Sequence, residues 1–551
     1  MTHTPPPRQR SAPITAPAIS LAATLAEAAR RFGDAPAVVR WDGEALGYES
    51  WWAGARALAG WMARRGVGEG DRVALVLPSG LEYLIAYAAA SALGAVTAGV
   101  NPSLAPAERG ALVELVDPAL VLVDPGLAES ISGDRSVELV SPCEPGRAPC
   151  ADLLEDDGPG SWGPVADAPT PRPDRTAALV FTSGTTGLPK AARFTEGALA
   201  AIARLDLGDS ADRWGGAGPM FVSTQFAHVG LMTKLCWYLR SGARLHLVDR
   251  WRADTVLRLV AEQSMAAIGA VAPQVALMLR SPLIDSLDLS AMRLLIVGGA
   301  ASPTPLVSEA RRRFGAGYTI RYSSTETGGC GLATPPWPER DGDDATIGRP
   351  RPGIEASIRD VDGTEVPDGT LGELWIRTPS AMAGYWEAPE ATAAALSDGW
   401  VRTGDLATRE RSEPDRPGRY RLAGRRGDMY IRGGYNVFPA EVEAALADHP
   451  GVAQVAVVPR ADDVMGEVGV AVVVPRPGVE APDLESLRRH GARVIARHKL
   501  PEALAVRSSL PLGATGKIDR RGLTAQVQLE DEPGEGGEVG TPGAGAAGSQ
   551  P

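Results

Sequence analysis

A chain of 551 residues is too long for one ordinary hydrophobic core, so two or more packed units are expected. Its formal net charge of -12 excludes a general attraction to nucleic acid or anionic membrane, so any phosphate must be held by local donors. Lysine occurs only at Lys190, Lys234, Lys499 and Lys517 against abundant arginine, so a lysine inside a motif points to a need for a compact charge.

The lead, with Pro5, Pro6, Pro7 and Arg8, lacks the apolar core of a secretory signal, and no later segment is an uninterrupted apolar span. The cysteines Cys143, Cys150, Cys236 and Cys330 have no metal-ligand spacing and read as reduced thiols of a cytoplasmic protein. Residues 1–18 are expected to be a disordered lead. From Leu21 to about Val140 the pattern alternates: helices over Leu21 to Phe32, Tyr48 to Arg65 and Leu81 to Leu93, and a strand over Val73 to Leu77. Such alternation implies crossover connections and a largely parallel sheet.

Cys143 to Asp174 is rich in Pro, Gly and acidic residues and reads as a loop. The apolar run Ala177 to Val180 then reads as a buried strand, and Ala198 to Leu205 as a helix. Between them lies Phe181-Thr182-Ser183-Gly184-Thr185-Thr186-Gly187-Leu188-Pro189-Lys190. Two glycines permit tight turns, exposed N–H groups and small hydroxyls can donate to phosphate oxygens, and Lys190 adds a charge that must meet an anion. This is not a Walker A loop, because its lysine follows Pro189 and no Ser or Thr comes next.

Further on, Arg293 to Gly299 reads as a strand running into a glycine turn. After Gly353 the pattern shifts to short strands with turn signals at Asp362-Gly363 and Asp368-Gly369. Beyond Leu422 a smaller α+β unit is expected, with helices over Pro439 to Ala447 and Leu484 to Arg497 and strands over Val452 to Val458 and Val468 to Val474. The Gly/Ala/Pro/Glu-rich tail at 529–551 cannot bury a core and is expected to be disordered.

The stretch from Phe181 to Lys190 closely resembles the signature of the adenylate-forming, AMP-binding superfamily, which includes acyl-CoA synthetases, aryl-CoA ligases, luciferases and peptide-synthetase adenylation domains. Tyr322-Ser323-Ser324-Thr325-Glu326 resembles that family's Tyr-Gly-x-Thr-Glu motif, Thr403-Gly404-Asp405 its Thr-Gly-Asp stretch, and Thr515-Gly516-Lys517 its C-terminal Gly-Lys motif. The resemblance spans roughly Leu21 to Leu523. It implies a large domain over 19–424, built of layered α/β subdomains with a small β-barrel-like part. A smaller mobile α+β domain over 425–528 would carry the catalytic lysine.

By the same resemblance, ATP is the nucleotide. Thr182, Ser183, Gly184, Thr185, Thr186, Gly187 and Lys190 would hold its phosphates, Tyr322 would stack on its adenine, and Ser323 would also belong to the nucleotide site. Thr325 would reach the α-phosphate, Glu326 would hold Mg2+, Asp405 would bind the ribose hydroxyls with Arg425 nearby, and Asp428 would be the hinge. Lys517 would bridge the acid's carboxylate and the α-phosphate, where negative charge accumulates. The acid pocket is expected at His228, Gly299, Ala300, Ser324, Gly328 and Cys330. Gly433 and Gly434 would leave room for the pantetheine arm of CoA.

Four positions depart from the family's usual residues: Ser323 for glycine, Gly427 for a lysine before the hinge, Glu196 for a frequent histidine, and Ala191 after the loop lysine. The expected reaction joins a small-molecule carboxylic acid to ATP, releases pyrophosphate, and transfers the acyl group to CoA. An alternative is a stand-alone adenylating enzyme that passes the acid to a carrier-protein thiol or an amine in a specialised-metabolite pathway. A nucleotide-binding scaffold without activity is disfavoured by the presence of Lys190, Glu326, Asp405 and Lys517 together. No motif points to a nucleic-acid partner or to an oligomeric state.

Overall fold

The computed structural model describes residues 18–131, 136–142, 147–155, 168–182, 190–222, 225–248, 250–299, 302–339, 342–412, 418–513 and 517–529. The expected lead up to residue 17, the tail from 530 onward, Cys143, Ala300 and the loop from Ser183 to Pro189 lie outside them. The chain divides into two compact units. The larger holds everything up to Asp428 together with Leu512–Lys517, and the smaller holds Met429–Pro511 and the segment from Ile518.

The larger unit is organised by a six-stranded sheet with the order Val137–Leu139, Leu120–Val123, Arg72–Val76, Val96–Gly99, Thr176–Thr182, Lys190–Thr195. All neighbours pair in parallel except the last two, which are antiparallel. The period of two decides which face each side chain meets. Val73, Leu75, Leu120 and Leu122 join the core formed with helices Leu21–Phe32, Tyr48–Arg64 and Leu81–Ala92. Ala74, Val76, Val121 and Val123 join the core under helix Pro106–Val116. With both faces covered, Leu120–Val123 and Val96–Gly99 are buried along their whole length, as parallel strands require.

A second, five-stranded sheet runs Ala267–Ala270, Leu294–Gly298, Gly317–Tyr322, Leu332–Ala333, Arg349–Pro350, with the first three strands parallel. Its core is closed by helices Ala253–Glu262, Ala272–Arg280 and Thr304–Phe314. A four-stranded sheet joins Ala45–Gly47, Pro36–Val39, Arg244–His246 and Pro219–Phe221. The expected β-rich part is an antiparallel sheet of Glu355–Arg359, Gly372–Arg377 and Trp400–Arg409, with Leu396–Ser397 and Tyr420–Arg425 both paired to Trp400–Arg409.

The smaller unit pairs Val452–Asp462 with Gly466–Pro475 in a long antiparallel hairpin, flanked by Ala503–Val506 and Tyr430–Arg432. Helices Pro439–Ala447, Leu484–Gly491 and Arg520–Leu529 belong to this unit. Among the described residues no helix is long and apolar enough to cross a membrane.

Three details go beyond what the pattern announced. A strand, Lys190–Thr195, stands between the Ser/Thr/Gly loop and helix Glu196–Leu207. The loop therefore closes an antiparallel hairpin in which Thr182 faces Lys190, and no helix N-terminus follows it directly. The helix from Leu484 ends at Gly491 rather than Arg497, and Gly491 packs closely against Leu500 and Leu446, where a Cβ would lie 2.8 Å and 3.2 Å away. The division between units falls after Asp428, and Arg425 is the last residue of a strand of the larger unit.

Candidate active site

The turn after strand Gly317–Tyr322 is built by its own hydroxyls: Ser324 N donates to Thr327 Oγ1 at 3.0 Å, and Thr327 N donates to Ser324 Oγ at 3.3 Å. This turn presents Thr325 and Glu326. Ser323 is absent from the left-handed residues of the backbone, so glycine's freedom is not required there, and the serine is accommodated without strain. Gly328 and Gly329 do require it, with φ of 69° and 70°. Gly328 turns onto the Ser380 carbonyl and Ile202, so it packs the turn down, whereas Gly329 faces Val229 and Lys234.

Tyr322 is buried, and its hydroxyl donates to Asp405 Oδ2 at 2.5 Å, while Arg425 Nε donates to Asp405 Oδ1 at 2.7 Å. Register places Asp405 opposite Arg425 across the strand pair Trp400–Arg409 and Tyr420–Arg425. Burial, followed by the charge of Asp405, pushes the Tyr322 phenol well above its ordinary pKa, so it stays a donor. Burial lowers the Arg425 guanidinium, but Asp405 more than compensates and its pKa rises.

Glu326 Oε1 accepts from the Tyr385 hydroxyl at 2.8 Å, and Lys190 Nζ lies 5.3 Å from the centre of the Tyr385 ring. Tyr385 reaches this position because its segment pairs with strand Lys190–Thr195: Arg193 N donates to the Gly384 carbonyl and Trp386 N to the Ala191 carbonyl. Ala191 itself is buried among Val96, Ala98, Val116 and Leu179, where a larger side chain would not pack. Glu196 faces away from this site. It accepts from Arg172 N at 2.6 Å and pairs with Arg175 at 3.3 Å.

Lys517 belongs to the same unit, and a Cβ on Gly299 would touch its Cε at 3.4 Å. Burial lowers the Lys517 pKa, Arg425 lowers it further, and Asp405 and Glu326 partly restore it. His228 starts the short helix Val229–Met232. Asn101 Oδ1 accepts from Ser103 N at 2.9 Å, which turns the Asn101 amide nitrogen to within 3.1 Å of His228 Nε2. Burial and the Lys517 charge hold the imidazole down at about 4, so His228 is neutral and its Nε2 accepts.

The structure thus brings Lys190, Tyr322, Thr325, Glu326, Asp405, Arg425, Lys517, His228 and Gly299 together in one unit. The sequence reading missed Asn101, Tyr385 and Lys234. Only Lys234 carried a signal, the scarcity of lysine. In the smaller unit Gly433 and Gly434 have φ of 53° and 85° and form the two-residue turn between Tyr430–Arg432 and Tyr435–Val437. Among the described residues no cluster of three metal-ligating side chains exists. A lone Glu326 carboxylate suits Mg2+ held largely by nucleotide oxygens.

The AMP-binding enzyme family model matches residues 25–386, and the AMP-binding enzyme C-terminal domain matches 441–517. The chain belongs to this family. It is 33% identical over 489 residues to an indoleacetate–CoA ligase of Aromatoleum aromaticum, covering 86% of this chain and 92% of that one. A benzoate CoA ligase structure from Burkholderia xenovorans superposes with TM-score 0.78 at 26% identity, covering 92% and 100% of the two chains. An amide bond synthetase from Marinactinospora thermotolerans is similar to the same degree: TM-score 0.78, 26% identity, 92% and 100% coverage. The protein is an AMP-forming acid–thiol ligase that makes an acyl-adenylate from a carboxylic acid and ATP and transfers the acyl group to CoA.

Proposed function

We propose that the acid is aromatic and that Lys517 is the group that activates it. The observation that carries this reading is the convergence of Lys517 on Gly299, Glu326, Asp405 and Arg425. Asp405 accepts from the ribose hydroxyls with Arg425 beside it, the Tyr322 ring stacks on adenine, and Lys190 and the residues from Thr182 to Gly187 hold phosphates. Thr325 donates to the α-phosphate, and Glu326 is the protein ligand of Mg2+, which neutralises phosphate charge when bound.

The acid's carboxylate attacks the α-phosphate, the bond to pyrophosphate breaks, and Lys517 stabilises the charge that builds on the transferred group. After pyrophosphate leaves, the smaller unit swings about Asp428. The CoA thiol then enters past Gly433 and Gly434 and displaces AMP. An aromatic acid agrees with the indoleacetate and benzoate specificities named for two relatives. A cytoplasmic setting is in keeping with Cys236 and Cys330 standing as thiols.

The amide bond synthetase among the similar structures motivates a second reading, in which an amine or a carrier-protein thiol takes the acyl group. Mass spectrometry of products from the purified protein, MgATP and a panel of aromatic, aliphatic and amino acids, with and without CoA, tests both. An aryl-CoA product is expected. A product confined to aliphatic acids removes the aromatic reading, and AMP release without thioester turns the search to another acceptor.

A further inference from the structure

Lys234 lies six residues beyond His228, between the short helices Val229–Met232 and Leu235–Arg240. Its ammonium is paired with Asp206, whose other oxygen accepts from Arg351 Nη1 at 2.9 Å. The side chains of Lys234 and Asp206 are only 15% and 14% exposed. Arg351 Nη2 also donates to the Leu205 carbonyl at 2.6 Å, which ties the group to the end of helix Glu196–Leu207. Burial works against the Lys234 ammonium, but Asp206 holds its pKa above the ordinary value. Burial likewise opposes the Asp206 carboxylate, and Lys234 and Arg351 nonetheless pull it down. All three groups are therefore charged.

A third cation belongs to the set. Arg321, just before Tyr322 on its strand, feels the fields of Arg351, Asp206 and Cys330, and its Nε is buried with no hydrogen-bond partner. Lys234 and Arg351 thus share the Asp206 carboxylate in a largely dry region, with the unpartnered Arg321 Nε beside them, and an anion arriving there would be stabilised. The cluster adjoins the turn assigned to the acid pocket. A Cβ on Gly329 would lie 3.4 Å from Lys234 Cε and 3.7 Å from Nζ, so the ammonium borders the space that the missing glycine side chain leaves. Cys330, the next residue, is fully buried and feels the Lys234 charge.

Asp206 keeps the Lys234 charge in this buried position, and Gly329 sets that charge beside the turn expected to line the acid pocket. Lysine is also rare in the chain, and arginine is the usual cation.

We infer that Lys234, backed by Arg321 and Arg351, recognises a second anionic group on the acid, so that the substrate is an aromatic acid bearing a further carboxylate remote from the one activated at Lys517. This rests on the ligase reading above and adds the distal group. Asp206 acts as a positioning residue that holds the ammonium in place until the substrate anion joins it.

The test is acid-dependent ATP–pyrophosphate exchange with matched pairs: aromatic monoacids, and the same rings with a second carboxylate or a hydroxyl. Wild-type protein is expected to favour the dicarboxylate over its monoacid by about tenfold or more in kcat/KM. Lys234→Met should lose that preference through KM for the diacid, and Lys234→Arg should retain part of it. A wild-type preference for the monoacid or the hydroxy acid overturns the inference, as does an unchanged diacid preference in Lys234→Met. In either case exchange with the monoacid leaves the ligase reading standing. No exchange with any acid sinks both. If Lys234→Met does not fold, as its melting temperature would reveal, the wild-type ratio and Lys234→Arg decide.

Discussion

The Tyr322 hydroxyl donates to Asp405 across 83 residues of sequence, and this bond sets the position of the aspartate before any nucleotide arrives. Replacing Tyr322 with Phe removes the donor while keeping the ring. A hydrogen bond to a charged group is worth about 1.5–3 kcal/mol, so the KM for ATP in pyrophosphate exchange should rise about tenfold or more. An unchanged KM for ATP would remove Asp405 from the ribose site.

Lys517→Ala should slow adenylation by about a hundredfold or more, as loss of one electrostatic stabiliser does. Thioester formation from supplied acyl-adenylate should be nearly untouched. Equal loss in both half-reactions would place the lysine elsewhere in the cycle.

The pH dependence follows from the same residue. Burial and Arg425 depress the Lys517 pKa, so the charged form is lost at a lower pH than for an exposed lysine. The adenylation rate should therefore fall on the alkaline side earlier than the ordinary lysine range, and the limb should vanish in Lys517→Ala. His228, held at about 4 by burial and Lys517, is neutral throughout the working range, so an acid limb near the ordinary histidine value should not appear. A pH–rate profile with a limb that Asn101→Ala moves would show that His228 does titrate there.

The Glu196 side chain is only 3% exposed and paired with Arg175. Glu196→Ala leaves the Arg172 N–H without its acceptor and the Arg175 guanidinium with only Glu69 at 3.7 Å. The expected cost is about 2–4 kcal/mol in denaturant unfolding, with kcat for adenylation unchanged. Glu196→Gln keeps an acceptor for Arg172 N and should cost less. A fall in kcat with stability intact would give Glu196 a part in the chemistry.

Local pattern carried much of the fold. Helix Leu21–Phe32 ends at Gly33, with φ of 55°, where its apolar repeat stops. Strand Arg72–Val76 and the hairpin Val452–Asp462 to Gly466–Pro475 are runs of β-branched residues with short turns. The family was legible because its motifs are short contiguous strings, as at Tyr322 to Glu326 and Thr403 to Asp405.

What the sequence by itself determined is therefore the class of chemistry and most elements of the scaffold, since both reside in residues close in the chain. Tertiary structure alone decided the rest. It inserted Lys190–Thr195 as an edge strand, because pairing with Thr176–Thr182 satisfies backbone groups that no local pattern announces. It carried Tyr385 to Glu326, and it gathered Asp206, Lys234, Arg321 and Arg351 from four separate segments into one buried cluster. Such groups meet only when the core closes, and burial then turns widely spaced charges into a site.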